Sequence, residues 1–172
     1  MKEFDVIVIG GGMVGLAFAI ELSQEKNCSI AIVEPNTSNP SVNKSFHTRV
    51  SAITPSSEAY LKSLNIWDDI QRKQVFVATK VWDQNSHGRL NFHAKDENIE
   101  HLGCIIENDL IQSALFGGID KNKIEYINAK LSGLKKNDSG YEVKLDNETS
   151  FSCRLLVGAD GVRSQVRTLS AI

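Results

Sequence analysis

The chain is short of cysteine, of long apolar runs and of clustered charge, and each shortage closes off a class of protein. Its three cysteines, Cys28, Cys104 and Cys153, lie far apart with no C-x-x-C spacing, which excludes a recognisable zinc or dithiol motif and suits a reducing compartment. Each reads as a small buried or half-buried hydrophobe. No apolar run nears the roughly 18–20 residues of a membrane span; the longest clean one, Val6 to Ile9, has the length of a strand. Lys and Arg number 19 against 21 Asp and Glu, for a net charge of −2, with no block of five like charges. The electrostatic footprint of phosphate-backbone binding is missing, so no nucleic acid partner is expected. His47, His87, His93 and His101 lack ligand spacing, and no Ser-His-Asp or paired-carboxylate arrangement is visible. No catalytic side chain and no metal site is therefore assigned. The opening Met1-Lys2-Glu3-Phe4-Asp5 runs straight into a strand, so no signal peptide is expected and a cytoplasmic location is.

What is present reads as a soluble α/β chain of 172 residues, enough for one domain or one domain plus an insert. The segment FDVIVIGGGMVGLAFAIELSQEKNCSIAIVEP moves from an apolar run through a glycine turn into helical spacing at Val14, Phe18 and Leu22, then into a second run, Ile30 to Val33. This predicts strand, helix, strand. Both runs are apolar throughout, as in a parallel sheet covered on both faces. Asn36 to Ser45 reads as a loop. A helix is predicted from Pro55, with Thr54 as N-cap and Ala59, Leu61, Leu64 and Ile66 as its apolar stripe. VFVATKVWDQNSHGRLNFHA predicts a hairpin turning at Asn85 to Gly88. Glu107 to Phe116 predicts a helix closed by Gly117-Gly118, with Leu110, Ala114 and Leu115 on one side. Lys123 to Leu134, Tyr141 to Leu145 and Ser150 to Val157 predict a small β-meander feeding a last apolar strand. No helix is expected to cover that strand, and no repeat or low-complexity segment occurs.

The most informative motif is Gly10-Gly11-Gly12-Met13-Val14-Gly15, a G-x-G-x-x-G between a strand and a helix. Gly10 permits a tight turn, Gly12 admits a pyrophosphate to the backbone, and Gly15 lets the helix lie close to the strand. Amides around Gly12, Met13 and Val14 would face phosphate at the positive end of the helix dipole. Glu34 ends the second strand, 19 positions after Gly15, where a carboxylate accepts hydrogen bonds from ribose hydroxyls. It would repel a 2′-phosphate, which favours FAD or NAD over NADP. Near the far end, LLVGADGVRSQVR places Asp160 and Gly161 at the carboxyl edge of an apolar strand, where open α/β sheets bind ligands.

Taken together, GGGMVG with Glu34, Arg49 within RVSAIT, and LLVGADGVRSQVR resemble the FAD-dependent aromatic hydroxylases, the class A flavoprotein monooxygenases. Within that family RVSAITPSSEAYLKSLNIWDDI, VWDQNSHGRLNF and LGCIIENDLIQSAL are similar to the hydroxylases of ubiquinone biosynthesis. The resemblance implies a Rossmann-like FAD/NAD(P)-binding fold with a parallel sheet, a small β-meander and an inserted β-rich piece of a substrate domain. Its expected divisions are 1–73 and 105–172 for the FAD-binding part and 74–104 for the insert. It implies that Gly10, Gly12, Met13, Val14 and Gly15 form the pyrophosphate turn and that Glu34 holds the ribose. By the same likeness Arg49 reaches FAD phosphate, Ser51 lies beside the flavin, Asn108 is near the ribityl chain, and Asp160 and Gly161 belong to a motif associated with FAD and NAD(P)H.

The implied reaction uses NAD(P)H and O2 to hydroxylate an electron-rich ring, the cofactor carrying the chemistry. A polyprenylated phenol or quinol substrate implies contact with a membrane surface or a biosynthetic complex. No basic amphipathic helix is visible to supply that contact. These hydroxylases run to more than twice this length and carry a third flavin motif that the chain lacks, so the sequence reads as an N-terminal piece with little or no turnover of its own. Two other readings stay open, a different FAD oxidoreductase sharing GGGMVG and Glu34, and a non-catalytic nucleotide-binding fragment.

Overall fold

The computed structural model describes residues 1–25, 27–36 and 45–172; the expected loop from Asn36 to Ser45 lies, but for its ends, outside the described residues. Along the chain run β1 (Lys2–Ile9), α1 (Met13–Leu22), β2 (Ile30–Val33), β3 (Val50–Ile53), α2 (Pro55–Ser63), β4 (Gln74–Phe76), β5 (Ala78–Trp82), β6 (Arg89–His93) and β7 (Gly103–Glu107). They continue with α3 (Asn108–Gly117), β8 (Ile124–Ile127), β9 (Leu131–Asn137), β10 (Gly140–Leu145), β11 (Ser150–Gly158) and α4 (Gln165–Leu169). Short 3-10 turns occupy Trp67–Asp69 and Ala94–Glu97. Contacts divide the chain into two units, the described residues of Met1–Pro40 with Leu115–Ile172, and those of Ser41–Ala114.

The first unit is built on a six-stranded sheet ordered β8-β2-β1-β11-β10-β9. Its first four strands are parallel and β10 and β9 are antiparallel. Val6 to Ile9 and Ile30 to Val33 are buried throughout, Val8 and Ile32 completely, as the unbroken apolar runs require. Each Val and Ile among them, withdrawn from water, contributes about 1.5–3 kcal/mol. One core cluster joins Ile7, Ile9, Ala31 and Val33 to Leu131, Val143 and Leu145 from the antiparallel end.

Three expectations change here. The stripe Val14, Phe18, Leu22 is not the buried face of α1: Val14 is 75% exposed, and Gly15, Leu16, Ala17, Ala19 and Ile20 are buried. The helix is apolar nearly all round, so spacing could not choose a face. Close approach did, because a Cβ on Gly15 would collide with the Gly10 carbonyl oxygen. Second, Lys123 to Leu134 is not one strand of the meander. It breaks at Asn128 to Lys130, and β8 pairs in parallel with β2, Ile30 opposite Ile124, at the other edge of the sheet. Asp146 fastens the restart by accepting the Lys130 amide at 3.0 Å while its own amide donates to the Lys130 carbonyl. Third, β11 is followed by a helix, α4, N-capped by Ser164, whose hydroxyl oxygen accepts the Arg167 amide. Five residues are too few to show periodicity.

The second unit holds a three-stranded antiparallel sheet, β3-β7-β4, and the ribbon β5-β6. Thr54 caps α2 as expected, accepting the Ser57 amide, with Pro55 in the first turn. Leu61, Leu64 and Ile66 are buried, whereas Ala59 faces solvent. The hairpin is confirmed in register from Ala78 opposite His93 to Trp82 opposite Arg89. Its turn begins at Asp83, whose amide donates to the Gly88 carbonyl. Val75 belongs instead to β4, which pairs with β7. The division by contacts at 40/41 and 114/115 differs from the expected one at 73/74 and 104/105. Those boundaries would cut through the sheet, whose strands come from residues 50–53, 74–76 and 103–107. Glu107, expected to open a helix, ends β7, and α3 starts one residue later.

Candidate functional site

The first unit gathers its chemistry at the carboxyl ends of β1, β2 and β11, where open α/β sheets bind ligands. Gly10 leaves β1 with φ of 110°, a backbone state that favours glycine. Its amide donates to the Val33 carbonyl at 2.9 Å, and the Ala159 amide donates to the Ile9 carbonyl at 2.7 Å, tying the three strand ends together. A Cβ on Gly10 would strike the Ala159 carbonyl. Gly11 is as constrained, since a Cβ there would meet the Tyr126 hydroxyl and lie 2.9 Å from Glu34 Cβ.

Gly12 is different. It is extended at φ −75°, a conformation open to any residue, and nothing lies within 4 Å of where its Cβ would be. Neither backbone strain nor a neighbour among the described residues accounts for the missing side chain. Gly12 N-caps α1 without a side-chain bond, and the first turn carries no acidic residue. The amides of Gly12, Met13 and Val14 have no acceptor among the described residues, so the positive end of the helix is left for an anion.

Glu34 follows β2 and is clamped by backbone: Gly11 donates to Oε2 at 2.8 Å and Asn36 to Oε1 at 2.9 Å. A carboxylate offers about four acceptor positions, so roughly two remain for hydroxyl donors. Tyr126 on β8 stands over this corner. Burial, then the charge of Glu34, pushes its phenol up to about 12, so it remains a neutral donor.

Asp160, two residues beyond β11, has a double role. Its Oδ2 accepts the Gln165 and Val166 amides at 2.6 and 3.1 Å, holding the start of α4. Its Oδ1 is buried with no partner among the described residues, which in a native site marks a missing donor. Burial works to raise this carboxyl, but bonds from Ser164 and the Val166 and Gln165 amides outweigh it and hold it below the usual range. Gly161 follows at φ 74°. A cleft of about 550 Å³ takes in Gly10, Gly12, Glu34, Asp160 and Gly161, with Lys130 and Arg163 at its wall. Two further concavities, both touching Asp5 and Cys28, lie away from this chemistry.

The remaining expected residues belong to the second unit. Ser51 Oγ donates to Asn108 Oδ1 at 2.6 Å, and the Asn108 amide donates to the Arg49 carbonyl at 3.0 Å. The pairing of Val50 with Glu107 in the β3-β7 ladder brings these three together. The Arg49 side chain is exposed. Sequence reasoning missed what fastens this corner. Buried Glu107 accepts Arg72 Nε and Nη2 at 2.9 and 3.0 Å and the His47 amide at 2.7 Å, and the Arg72 bonds hold its carboxyl below the usual range. Arg72 is 35 residues from Glu107, so no local pattern announces the pair. Tyr126 and Lys130 were missed for the same reason, whereas Arg163 stands inside LLVGADGVRSQVR, three residues after Asp160, without having been singled out.

Three features fit an adenine dinucleotide of the FAD type: the open space at Gly12, the acceptor-free amides, and the orphaned Asp160 Oδ1. Known proteins of similar sequence and fold agree. The chain is 31% identical over 179 residues to the mitochondrial ubiquinone biosynthesis monooxygenase of Drosophila melanogaster, covering 96% of this chain and 37% of that protein. It is 30% identical to the 3-demethoxyubiquinol 3-hydroxylase of Escherichia coli, covering 98% and 44%. It thus spans less than half the length of these relatives. The crystal structure of p-nitrophenol 4-monooxygenase from Pseudomonas putida shares the fold, with a TM-score of 0.75 and 20% identity over 99% of this chain and 44% of that one. Residues 3–171 match the FAD binding domain family, and to that family the chain belongs.

Proposed function

We propose that the chain holds FAD for an aromatic-ring hydroxylase that uses NAD(P)H and O2, acting on a polyprenylated phenol or quinol in ubiquinone biosynthesis. The observation that carries the reading is the cleft at the strand ends, where Gly12 and Asp160 Oδ1 both lack the partner a dinucleotide supplies. Ubiquinone-type hydroxylases among the relatives support the substrate class. Among the described residues no helix is long and apolar enough to cross a membrane. A polyprenylated substrate of this class would be met at a membrane surface or within an assembly, on the cytoplasmic side.

FAD, when bound, supplies two-electron redox chemistry and oxygen activation. The chain's own work is binding and orientation. Met13 and Val14 amides, at the start of α1, neutralise pyrophosphate charge. Glu34, already locked by two amides, accepts ribose hydroxyls without having to reorganise. Asp160 Oδ1 accepts a hydroxyl of the cofactor, and its low carboxyl keeps it charged at neutral pH. Ser51 and Asn108 hold each other and the backbone of Arg49, so the guanidinium starts from a fixed anchor.

The test is a titration of the purified chain with FAD and, separately, with NAD, read by flavin fluorescence and thermal stability. Saturable FAD binding without a response to NAD is expected. Binding of neither by this chain, or by a longer one that carries it, would overturn the reading. Product analysis on the longer protein with a polyprenyl phenol then tests the substrate class.

A further inference from the structure

We propose that Glu58, His101 and Cys104 form a site for a divalent cation of borderline softness, zinc in the first place. Glu58 comes from α2, Cys104 from β7, and His101 from the turn leading into β7. Their ligand atoms all lie within 4.8 Å of one another, and His101 Nε2 is 2.9 Å from Glu58 Oε2. Glu58 and Cys104 are buried, and the His101 side chain is 20% exposed.

Carboxylate oxygen, imidazole nitrogen and thiolate sulfur make a donor set that zinc accepts, whereas calcium and magnesium take oxygen ligands alone. Tetrahedral zinc bonds of about 2.0–2.1 Å hold an oxygen and a nitrogen about 3.3 Å apart, so the Glu58–His101 contact need open by only about 0.4 Å. Lys62 is the competing cation. Its Nζ sits 2.7 Å from Glu58 Oε1, whereas His101 meets Oε2. One carboxylate oxygen can keep the lysine while the other takes the metal.

Without a cation, burial and then the charge of Glu58 push the Cys104 thiol up, so it stays protonated. Binding replaces that S–H proton: the metal gains a thiolate and a neutral imidazole, and the proton leaves to solvent. Three protein ligands leave a fourth position for water. The metal would fasten α2 to β7 within one unit. Glu58 and His101 are 43 residues apart, so only the fold reveals the set.

Cobalt(II), zinc's spectroscopic stand-in, is added to the metal-free purified chain. One equivalent should give a thiolate-to-cobalt charge-transfer band in the near ultraviolet, displaced by zinc. The band should vanish in Cys104→Ser and persist in Cys28→Ser and Cys153→Ser, and cobalt affinity should fall at least about tenfold in His101→Ala. Absence of the band from the wild-type chain, or its dependence on Cys28 or Cys153, would overturn the proposal. The wild-type spectrum alone can refute the site, however the variants fold.

Discussion

Substituting Gly12 and Gly15 separately should pull ligand binding apart from folding, because the two glycines are required by different partners. At Gly12 an added methyl meets no described residue within 4 Å, and the φ of −75° suits alanine. Replacing glycine by alanine at the N-cap costs on the order of 0.5–1 kcal/mol, and the stiffer unfolded chain returns about 0.4–1 kcal/mol. Gly12→Ala should therefore leave stability within about 0.5 kcal/mol of the parent, a melting shift under about 2 °C for a chain of this size. At Gly15 the methyl meets the Gly10 carbonyl oxygen and crowds Ala159 Cβ at 3.2 Å. Overpacking of this kind costs about 1–3 kcal/mol, or roughly 2–12 °C. Thermal unfolding followed by circular dichroism without FAD measures both. FAD titration supplies the other half: Gly12→Ala occupies the space assigned to pyrophosphate and should weaken FAD more than about tenfold, about 1.4 kcal/mol. A Gly12→Ala protein that melts as low as Gly15→Ala, or that binds FAD like the parent, would refute the reasoning.

Glu34→Ala should weaken FAD by about 1–3 kcal/mol, since ribose acceptors are lost and the Gly11 and Asn36 amides are freed; unchanged affinity in the same titration would count against the ribose role. The folded Glu107 carboxyl is held below its ordinary 4.5, so its contribution is complete above that value and is lost as pH falls through the folded one. In urea denaturation, Glu107→Gln should differ most from the parent above pH 4.5 and converge with it in more acid solution; a gap independent of pH would refute this. Among the thiols, half-exposed Cys28 should be alkylated first, because Cys153 is buried and its thiol is pushed up to about 11. Peptide mass spectrometry after brief iodoacetamide treatment reads the order, and equal rates at Cys28 and Cys153 would contradict it.

What is local in the chain could be read from its residues alone. The β1-α1-β2 unit, its glycine turn and Glu34 were legible because strand, turn and helix each leave a signature within a few residues. The Thr54 cap, the β5-β6 hairpin and the β9-β10-β11 meander were legible for the same reason. The tertiary structure alone decided which face of α1 is buried, because a helix apolar on every side has no preferred face until Gly15 meets Gly10. It decided that β8 leaves the meander for the far edge of the sheet, since an apolar strand can pair with any neighbour the chain connection reaches. It alone assembled residues 50–53, 74–76 and 103–107 into one sheet, and brought Arg72 to Glu107 and Glu58 to His101 and Cys104. Those partnerships span tens of residues, and their stability comes from burial and charge pairing that exist only once the chain has closed on itself.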